Sequence, residues 1–466
     1  MANNDNAWIE QLSSKAASSS LVDSSLYAKY EVKRGLRDIS GKGVLAGLTQ
    51  IGEVQAHTII GDATVPGPGR LIYRGIDIRD IVAGFLPEGR QGFEETAYLL
   101  LFGELPTSSE LQRFQSLLAS YRRLSDDFVH DSILKLCSRD IMNAMAQTVL
   151  SLYVIDDNAD AIDIPNVMRQ SLLLIATFPL LAVYCYQAHA YRYASKSLVI
   201  HSPRAELSTA ANFLHMLRHD SQYTALEAQL LDLSLVLHAE HGGGNNSSFT
   251  THVVTSSGTD TYSAIAAALG SLKGPRHGGA NVKVARMFED MKQHVSDWDD
   301  DSQIEAYLFK LLNKEAFDRS GLIYGIGHAV YSVSDPRTMI LREQLDKLAA
   351  ERGLDAEMRL YRKVEELAPR IIGLQRKMYK GVSANVDFYS GFLYRLLDIP
   401  QELFTPLFAV SRIVGWCAHR IEELANGGKI IRPAYKSVFP QREYIPLRDR
   451  GSKPEAGFEQ SERPEA

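Results

Sequence analysis

The stretch from residue 225 to residue 241, ALEAQLLDLSLVLHAEH, constrains the fold more than any other part of this chain. Apolar side chains lie nearly all round its helical wheel, so a helix here has no wide polar face for water and belongs in a helical core. The run stops at Gly242-Gly243-Gly244, and glycine commonly follows the last residue of a helix. The sequence therefore predicts a buried helix with two histidines on its last turn.

Helical periodicity dominates the rest of the chain, and a second apolar run, SLLLIATFPLLAVYCY at residues 171–186, is also predicted to be a core helix. It is shorter than the roughly 20 residues that span a bilayer, and it contains a proline. Strand-like alternation is confined to EVQAHTII and RLIYRGIDI, which the turn-rich GDATVPGPG connects. We expect a mainly α fold with a small β hairpin or sheet near the N-terminus.

Composition changes along the chain in a way that predicts two domains. Amphipathic, charge-rich helices and short glycine loops fill residues 280–397, whereas residues 1–279 and 398–445 are more core-like. We expect a small helical domain at 280–397 and a large domain formed by the other two ranges, with its first 40 or so residues peripheral. Residues 446–466 are polar and are expected to form a mobile tail. The cleft between the domains is the expected site of chemistry.

Charge and cysteine content narrow the class of partner. The 466 residues include 50 Lys and Arg against 56 Asp and Glu, a formal charge of −6, so no basic excess is available for nucleic acid. The N-terminus lacks the basic and apolar regions of a secretory signal, and no membrane partner is expected. Cys137, Cys185 and Cys417 are widely separated in apolar runs, which favours buried thiols and a cytoplasmic location.

His238 and His241 stand three residues apart and are therefore predicted to share one helical face. One interpretation is a pair of core or capping histidines stabilised by the negative end of the helix. A zinc site is disfavoured, because HAEHGGG lacks the spacing of H-E-x-x-H and glycine has no side chain with which to bind metal. Both a structural and a substrate-binding role stay open from the residues alone.

His277 and His328 each stand beside glycines, in GPRHGGAN and in GIGH. His277 is expected near a helix N-terminus, whose positive end favours a neutral imidazole that donates to a carbonyl group; an ordinary turn histidine is the alternative. Bare backbone at Gly325 and Gly327 would let a ligand approach His328 closely. A dinucleotide or phosphate loop is disfavoured, because neither G-x-G-x-x-G nor a Walker lysine is present.

One acid and three arginines complete the candidate residues. Asp387 lies among apolar and aromatic neighbours and is either a base with a raised pKa or a helix cap. Arg412 lies in an apolar helix and needs an anion, either a substrate or a structural carboxylate such as Glu422. Arg337 follows Asp-Pro. Arg432 precedes a proline and is either a carboxylate clamp or a surface charge.

Taken in order, these motifs resemble the citrate synthase family from about residue 43 to about residue 448. The motifs are HAEH at 238–241, GPRHGGAN at 274–281, GIGHAVYSVSDPR at 325–337, ANVDFYSG at 384–391, VSR at 410–412 and IRP at 431–433. The resemblance implies a nearly all-α, two-domain homodimer whose cleft closes on its substrates. It also implies the condensation of acetyl-CoA with oxaloacetate to citrate and CoA, followed by hydrolysis of the thioester.

The resemblance implies a role for each candidate residue. Asp387 would take a proton from the acetyl methyl group, His277 would hydrogen-bond the thioester oxygen, and His328 would polarise and protonate the oxaloacetate carbonyl. The expected substrate-binding residues are His238, His241, Arg337, Arg412 and Arg432, the last contributed by the partner subunit. Those expected at the coenzyme A site are Gly325, Ile326 and Gly327. Neither a metal nor a permanently bound cofactor is expected, and the coenzyme A thioester is a co-substrate.

Some positions depart from the family's sequence pattern, and two alternative functions are therefore considered. Gly242 stands where relatives often have glutamate, and residues 331–334 lack the basic residue that several relatives use to meet coenzyme A phosphate. A 2-methylcitrate synthase using propionyl-CoA is the nearest alternative, because one methylene changes discrimination by only about 1–3 kcal/mol. A catalytically silent relative that binds coenzyme A or a dicarboxylate is a further alternative.

Overall fold

The structure is a computed structural model that describes residues 2–38, 43–60, 63–327, 330–376 and 381–450. The chain divides into two compact units, Met1–Val44 with Arg432–Ala466, and Leu45–Ile431. The larger unit contains most of the predicted large domain and the whole of the predicted small domain. The boundary between these two domains stays a prediction.

The smaller unit joins residues from both ends of the chain. It contains α1 (Ala2–Ser19), α2 (Ser24–Lys29) and a 3₁₀ turn at Arg34–Leu36. The Asp23 carboxylate accepts from the Ser25 backbone N–H at 2.9 Å and so caps α2. The Lys436 ammonium lies 5.8 Å from the centre of the Tyr30 ring, a cation–π contact between the two ends. Of the predicted mobile tail, residues 446–450 are described and contain a 3₁₀ turn, and residues 451–466 lie outside the described residues.

The predicted small sheet is present as three antiparallel strands in the order β1 (Gly52–Ile60), β2 (Ala63–Tyr73) and β3 (Ile76–Asp77). The prediction that GDATVPGPG is a connector is wrong for its larger part, because β2 begins at Ala63 and includes both prolines. Proline cannot donate to a strand ladder and is tolerated where a strand is paired on one side. Strand β3 pairs only with the end of β2, so in the described sheet the proline-containing half has β1 alone as its partner.

Helices make up most of the larger unit, which confirms the mainly α prediction. The helices before residue 280 are α3 (Ile78–Phe85), α4 (Phe93–Phe102), α5 (Ser108–Tyr121), α6 (Asp126–Phe128), α7 (Ile141–Val154), α8 (Ile164–Tyr193), α9 (Thr209–Leu217), α10 (Ala225–His238), α11 (Asn246–Thr255) and α12 (Thr261–Lys273). Those after it are α13 (Ala280–His294), α14 (Asp301–Leu312), α15 (Pro336–Glu351), α16 (Asp355–Arg376), α17 (Val386–Leu396) and α18 (Phe404–Ala425). A π-helical turn at Val129–Leu134 and a 3₁₀ turn at Gln401–Leu403 complete the set.

Helix α10 is buried along nearly its whole length, as its all-round apolar sequence predicts. It packs against α4, α9, α15, α17 and α18. Burial of each leucine of such a helix contributes about 1.5–3 kcal/mol to the stability of the fold, compared with leaving the side chain exposed. Packing against the surrounding helices therefore stabilises α10 strongly. Because α10 is enclosed by five other helices, its C-terminal end lies in the interior of the protein.

Helix α8 is the second predicted core helix. Among the described residues it is the one helix that is long and apolar enough to cross a membrane, judged by length and composition. Its most apolar window is nevertheless 94% buried inside the protein, against partners that include α5, α7, α9 and α18. Such burial is typical of the core helix of a globular protein.

Candidate active site

His238 is the last residue of α10 and is completely buried. Its Nδ1 lies 2.8 Å from the Ser234 carbonyl oxygen; a carbonyl only accepts, so Nδ1 carries the proton. Nε2 therefore has a free lone pair, and it is buried with no hydrogen-bond partner in the described part of the chain. Burial, followed by the charge of Arg337, lowers the pKa of His238 to about 3. The site thus contains a neutral imidazole with an open acceptor.

His241 lies beyond α10, so the prediction that it shares a helical face with His238 is wrong. The helix ends at His238, and Gly242 then takes a φ of +80°, which turns the chain away from the helical path. The His241 ring meets the Tyr331 ring edge-on, with 5.6 Å between centres. The structure therefore places His241 in the loop after α10, beside Tyr331, which follows the GIGH motif.

Arg412 projects from the middle of α18 and is completely buried. Its Nε donates to the His238 carbonyl oxygen at 2.7 Å, and Nη1 and Nη2 are enclosed without a hydrogen-bond partner among the described residues. Burial lowers the pKa of Arg412 to about 10, and the charge of Glu240 is the largest opposing influence. The carboxylate that compensates Arg412 is thus Glu240, whereas Glu422 is hydrogen-bonded to the backbone of Gln50. A buried guanidinium with two open nitrogens is suited to bind a substrate carboxylate.

The Phe408 ring, one turn before Arg412 on α18, joins three of the candidates. The Arg412 guanidinium lies 4.8 Å from its centre, and the rings of His238 and His277 lie 4.9 Å and 6.2 Å from it. Both histidines meet the phenyl ring near a right angle, which is a favourable aromatic geometry. This apolar surface brings together residues that are far apart in the sequence.

His277 lies in the loop between α12 and α13. The Ser247 backbone N–H points at His277 Nε2 at 3.3 Å, and the Ser247 hydroxyl lies 2.9 Å from the same atom. Because Nε2 accepts, the proton of the neutral ring is assigned to Nδ1. Burial and then the charge of Arg412 lower the pKa of His277 to about 4, so the neutral donor expected from the sequence is present at neutral pH.

Asp387 is the second residue of α17. The side chain of Asn385 caps this helix and accepts from the Asp387 N–H at 3.0 Å, so Asp387 is not the capping residue. Its Oδ1 is enclosed without a hydrogen-bond partner among the residues described. Burial raises the pKa of Asp387 to about 7, against the opposing charges of Arg337 and Arg412. A carboxyl group that titrates near neutrality is suited to act as a general base.

Arg337 is buried in the first turn of α15 beside the capping residue Asp335. Its Nε and Nη2 donate to the two Asp335 carboxylate oxygens at 3.0 Å and 2.7 Å. Asp335 and the nearby tyrosines raise the pKa of Arg337 despite burial, so the guanidinium stays charged. Arg337 is therefore one partner of a buried ion pair with Asp335, and this pair was not predicted from the sequence.

The loop of Gly325, Ile326 and Gly327 is fastened to the segment that leads into α17. Gly327 N–H donates to the Ser383 carbonyl oxygen at 2.8 Å, and Asn385 N–H donates to the Gly325 carbonyl oxygen at 2.9 Å. Gly325 has a φ of +79°, and a Cβ there would come within 2.8 Å of the Phe388 ring, so glycine is required. The loop holds the start of α17 in place, and its predicted contact with coenzyme A stays a prediction. His328, next in sequence, lies outside the described residues.

Arg432 belongs to the smaller unit and is exposed. The other candidates belong to the larger unit, and the predicted role of Arg432 across a dimer stays a prediction. The residues that share one electrostatic neighbourhood are His238, His277, Arg337, Asp387 and Arg412. They combine a base, two neutral imidazoles and two cations, which together can remove a proton from carbon and bind a carboxylate.

Three buried residues of this neighbourhood, Glu240, His419 and Tyr73, were missed in the sequence analysis. Glu240 accepts from His419 Nε2 at 3.0 Å, and the Glu240 charge helps raise the pKa of His419 to about 9. Tyr73 donates its hydroxyl toward the Val236 and Glu240 carbonyl oxygens, both at 3.1 Å. A signal for His419 was present, because it lies seven residues after Arg412 and two helical turns return to the same face.

Comparisons with known proteins identify the family of this chain. The family model described as the C-terminal domain of citrate synthase matches residues 38–434. A citrate synthase from Haloferax volcanii is 36% identical over 409 residues, which cover 86% of this chain and 94% of the relative. A citrate synthase from Synechocystis is 34% identical and covers 82% and 88%. A 2-methylcitrate synthase from Shewanella oneidensis is also 34% identical and covers 87% and 98%.

The fold is similar to solved structures of the same class. A citrate synthase from Thermoplasma acidophilum, in a ternary complex with carboxymethyl coenzyme A and oxaloacetate, superposes with a TM-score of 0.74 at 25% identity and covers 90% of this chain and 99% of that one. A citrate synthase from Pyrobaculum aerophilum superposes with a TM-score of 0.71 at 29% identity and covers 88% and 95%. The mainly α architecture, the clustered site residues and the family match lead to one conclusion: this chain belongs to the citrate synthase family.

Proposed function

We propose that this protein is a citrate synthase that condenses acetyl-CoA with oxaloacetate and releases citrate and CoA. One observation carries the proposal: Asp387, with a pKa of about 7, is buried within electrostatic range of Arg412, whose two terminal nitrogens have no hydrogen-bond partner in the described structure. A base for a carbon acid and a receptor for a carboxylate are two of the elements that this condensation needs.

Asp387 removes a proton from the methyl carbon of the thioester. That carbon is a weak acid, so the negative charge that develops on the thioester oxygen needs stabilisation at the same time. His277 supplies it through Nδ1–H, the proton left free once Nε2 has accepted from Ser247. Because His277 is neutral, it stabilises the enol by donating a hydrogen bond and adds no net charge to the site.

The enol carbon attacks the ketone carbon of oxaloacetate, a new C–C bond forms, and His328 delivers a proton to the ketone oxygen. Arg412 and Arg337 bind oxaloacetate carboxylates, and His238 and His241 help to orient this substrate. Water then cleaves the C–S bond of the citryl thioester. Hydrolysis makes the whole sequence effectively irreversible.

The proposal extends to assembly and location. We place the protein in a homodimer in which the partner's Arg432 completes the oxaloacetate site, and in the cytoplasm, in keeping with its three free cysteines. Coenzyme A thioester acts as a co-substrate, and the chain's own residues supply the base, the donors and the carboxylate receptors.

A 2-methylcitrate synthase is the second candidate function. It is favoured by the Shewanella relative, which matches as well as the Synechocystis citrate synthase does. Propionyl-CoA has one methylene more than acetyl-CoA, and an apolar pocket distinguishes two such substrates by only about 1–3 kcal/mol. The chemistry of proton removal and condensation is otherwise the same.

Thiol release from acetyl-CoA and from propionyl-CoA in the presence of oxaloacetate tests both candidates. We expect a larger kcat/KM for acetyl-CoA; a larger value for propionyl-CoA would make the chain a 2-methylcitrate synthase. Thiol release from neither thioester would reject both functions and leave a silent relative that binds coenzyme A or a dicarboxylate. Full activity after treatment with EDTA is expected, because every proposed step is carried out by side chains.

A further inference from the structure

Three side chains at the junction of α11 and α18 bring metal-binding atoms together outside the proposed chemistry. They are His252 on α11 with His419 and Glu422 on α18, and one potential ligand atom from each lies within 4.8 Å of the others. His252 Nε2 and His419 Nδ1 are 3.1 Å apart, and Glu422 Oε2 is 3.7 Å from His419 Nδ1. All three belong to the larger unit of the structure.

The outer nitrogen of each histidine faces a carboxylate. His252 Nδ1 lies 2.8 Å from Glu423 Oε2, and His419 Nε2 lies 3.0 Å from Glu240 Oε1. A carboxylate only accepts, so both outer nitrogens are donors. Because the pKa of His419 is raised, its Nδ1 carries a proton as well, and this proton points toward the lone pair of His252 Nε2. At 3.1 Å the two inner nitrogens share a cation, which is a proton in the metal-free protein and which a metal ion can replace.

Glu422 is oriented toward the same gap. Its Oε1 accepts from the Gln50 backbone N–H at 2.7 Å, which fixes the carboxylate plane. Its Oε2 is buried and forms an ion pair with His419 Nδ1 at 3.7 Å, which is too long for a hydrogen bond. A third, negatively charged ligand atom therefore faces the two imidazole nitrogens.

We propose that His252, His419 and Glu422 bind a divalent transition-metal ion of the zinc class, with water as the fourth ligand. Zinc binds imidazole nitrogen at about 2.0–2.1 Å in tetrahedral geometry, which places neighbouring ligand atoms about 3.3 Å apart. The two imidazole nitrogens, 3.1 Å apart, are close to that spacing, whereas Glu422 Oε2 is 3.7 Å from His419 Nδ1 and the cluster as a whole fits within 4.8 Å, so the Glu422 carboxylate moves toward the ion on binding. A carboxylate on the far nitrogen of each histidine is the usual outer shell of such a site, because it fixes the ring and raises its basicity.

The site is separate from the residues assigned to catalysis and is accessible to an ion. The side chains of His252 and Glu423 are 13% and 17% exposed, so the cluster borders on solvent at these two residues. On the inner side, Glu240 separates His419 from Arg412, because its carboxylate accepts from the histidine and compensates the guanidinium charge. The ion therefore takes no part in the proposed condensation.

Calorimetric titration of the untagged, full-length protein with ZnCl₂, after removal of metal by EDTA and then of the EDTA, tests the proposal. We expect one zinc per chain. His252→Gln and, separately, Glu422→Gln should each weaken zinc binding by more than about tenfold, since loss of even an outer-shell partner costs 10–100-fold. The control is His294→Gln, a 59% exposed histidine beside Asp290, which should bind zinc as the wild type does.

Cobalt provides a spectroscopic readout that does not depend on enzyme activity. Co²⁺ bound in this site should show the intense visible absorption of a tetrahedral complex, and His252→Gln should abolish it. Circular dichroism of each variant verifies folding, and Glu422→Gln serves if His252→Gln does not fold. Absence of zinc binding to the wild type would mean that the gap holds a proton only, and undiminished binding to both variants would place the ion elsewhere; either result overturns the proposal.

Discussion

Arg412 donates its Nε–H to the carbonyl oxygen of His238 at 2.7 Å, across a sequence separation of 174 residues. This single bond fixes the guanidinium plane and leaves both terminal nitrogens buried without a hydrogen-bond partner among the described residues. The guanidinium is thus preorganised to bind an anion. Burying its two unpaired nitrogens away from water lowers the stability of the unliganded protein.

Arg412→Leu should weaken oxaloacetate binding by about 100-fold or more, because a buried charged hydrogen-bonding partner contributes at least 2–3 kcal/mol to the affinity. Calorimetric Kd values for oxaloacetate provide the measurement. The control is Arg420→Leu, whose arginine donates to Thr255, Thr261 and the Thr259 carbonyl oxygen. The control should lower Tm more than Arg412→Leu does while leaving the Kd of the folded protein unchanged; an unchanged Kd in Arg412→Leu would make Arg412 a structural residue.

Asp387→Asn should lower kcat by about 100- to 10,000-fold with the fold intact, because general-base catalysis contributes that much and asparagine cannot accept the proton. Steady-state turnover with acetyl-CoA and oxaloacetate measures the loss. Asp398→Asn is a suitable control, since this carboxylate is 73% exposed and pairs with Arg352 beyond the end of α17. Near-normal turnover in Asp387→Asn would remove Asp387 from the role of base.

The pKa of about 7 for Asp387 predicts the pH dependence of kcat/KM. The base works only when ionised, so kcat/KM for the thioester should rise about tenfold per pH unit below 7 and level off above it. His277 and His238, with pKa values of about 4 and 3, stay neutral over this range and should add no second inflection. A profile that is flat from pH 5 to pH 8 would contradict the assignment.

The same pKa predicts a pH-dependent difference in stability. The folded-state pKa of Asp387 lies above the ordinary carboxyl value, so its contribution to stability is fully present below about pH 4 and is lost as the pH rises through about 7. Asparagine does not titrate. The free energy of unfolding of Asp387→Asn, measured in urea relative to the wild type, should therefore increase between pH 4 and pH 7 and then stay constant; a difference independent of pH would show that Asp387 is not perturbed.

His277 should be a neutral Nδ1–H imidazole throughout the working pH range. Nitrogen-15 NMR of the labelled histidines, with the His277 signals assigned by comparison with His277→Gln, gives both the tautomer and the titration. We expect a protonated Nδ1, an unprotonated Nε2 and no titration above pH 5. A ring that titrates near pH 6.5, or one with its proton on Nε2, would be incompatible with the hydrogen bonds from Ser247.

Gly415 should not tolerate a side chain. A Cβ at this position would lie 2.4 Å from Glu240 Oε2 and 2.5 Å from the Ala239 carbonyl oxygen, so α18 would have to move away from the end of α10. Gly415→Ala should lower the free energy of unfolding by about 1–3 kcal/mol, the usual cost of overpacking, and should also weaken oxaloacetate binding through Arg412.

Gly270→Ala is the matched control for this substitution. Gly270 lies within α12, and a Cβ there meets nothing within 4 Å. Alanine should raise stability by about 0.5–1 kcal/mol, because it lowers the backbone entropy that is lost on folding. Urea unfolding of both variants provides the comparison, and equal effects of the two substitutions would contradict the close contact at Gly415.

Much of the fold could be predicted, because the signals are local. The buried helices α8, α10 and α18 carry continuous apolar sequence, and the end of α18 was marked by Asn426-Gly427-Gly428. The course of β2 was missed, since its prolines indicate a turn unless the pairing partner is known. The end of α10 was also missed, because the apolar pattern runs on to His241 although the backbone leaves the helix after His238.

By itself, the sequence determined which residues are the candidates for the chemistry. Histidines beside glycines, an acid among aromatic residues and an arginine in an apolar helix are patterns that can be read within a few positions, and their order along the chain indicated the family. Only the tertiary structure decided the protonation states and the ion-pair partners of these residues. Glu240 rather than Glu422 compensates Arg412, Asp335 pairs with Arg337, and Asp387 titrates near neutrality. Desolvation and Coulomb energy depend on distances in space, and those distances join residues that are far apart in the chain.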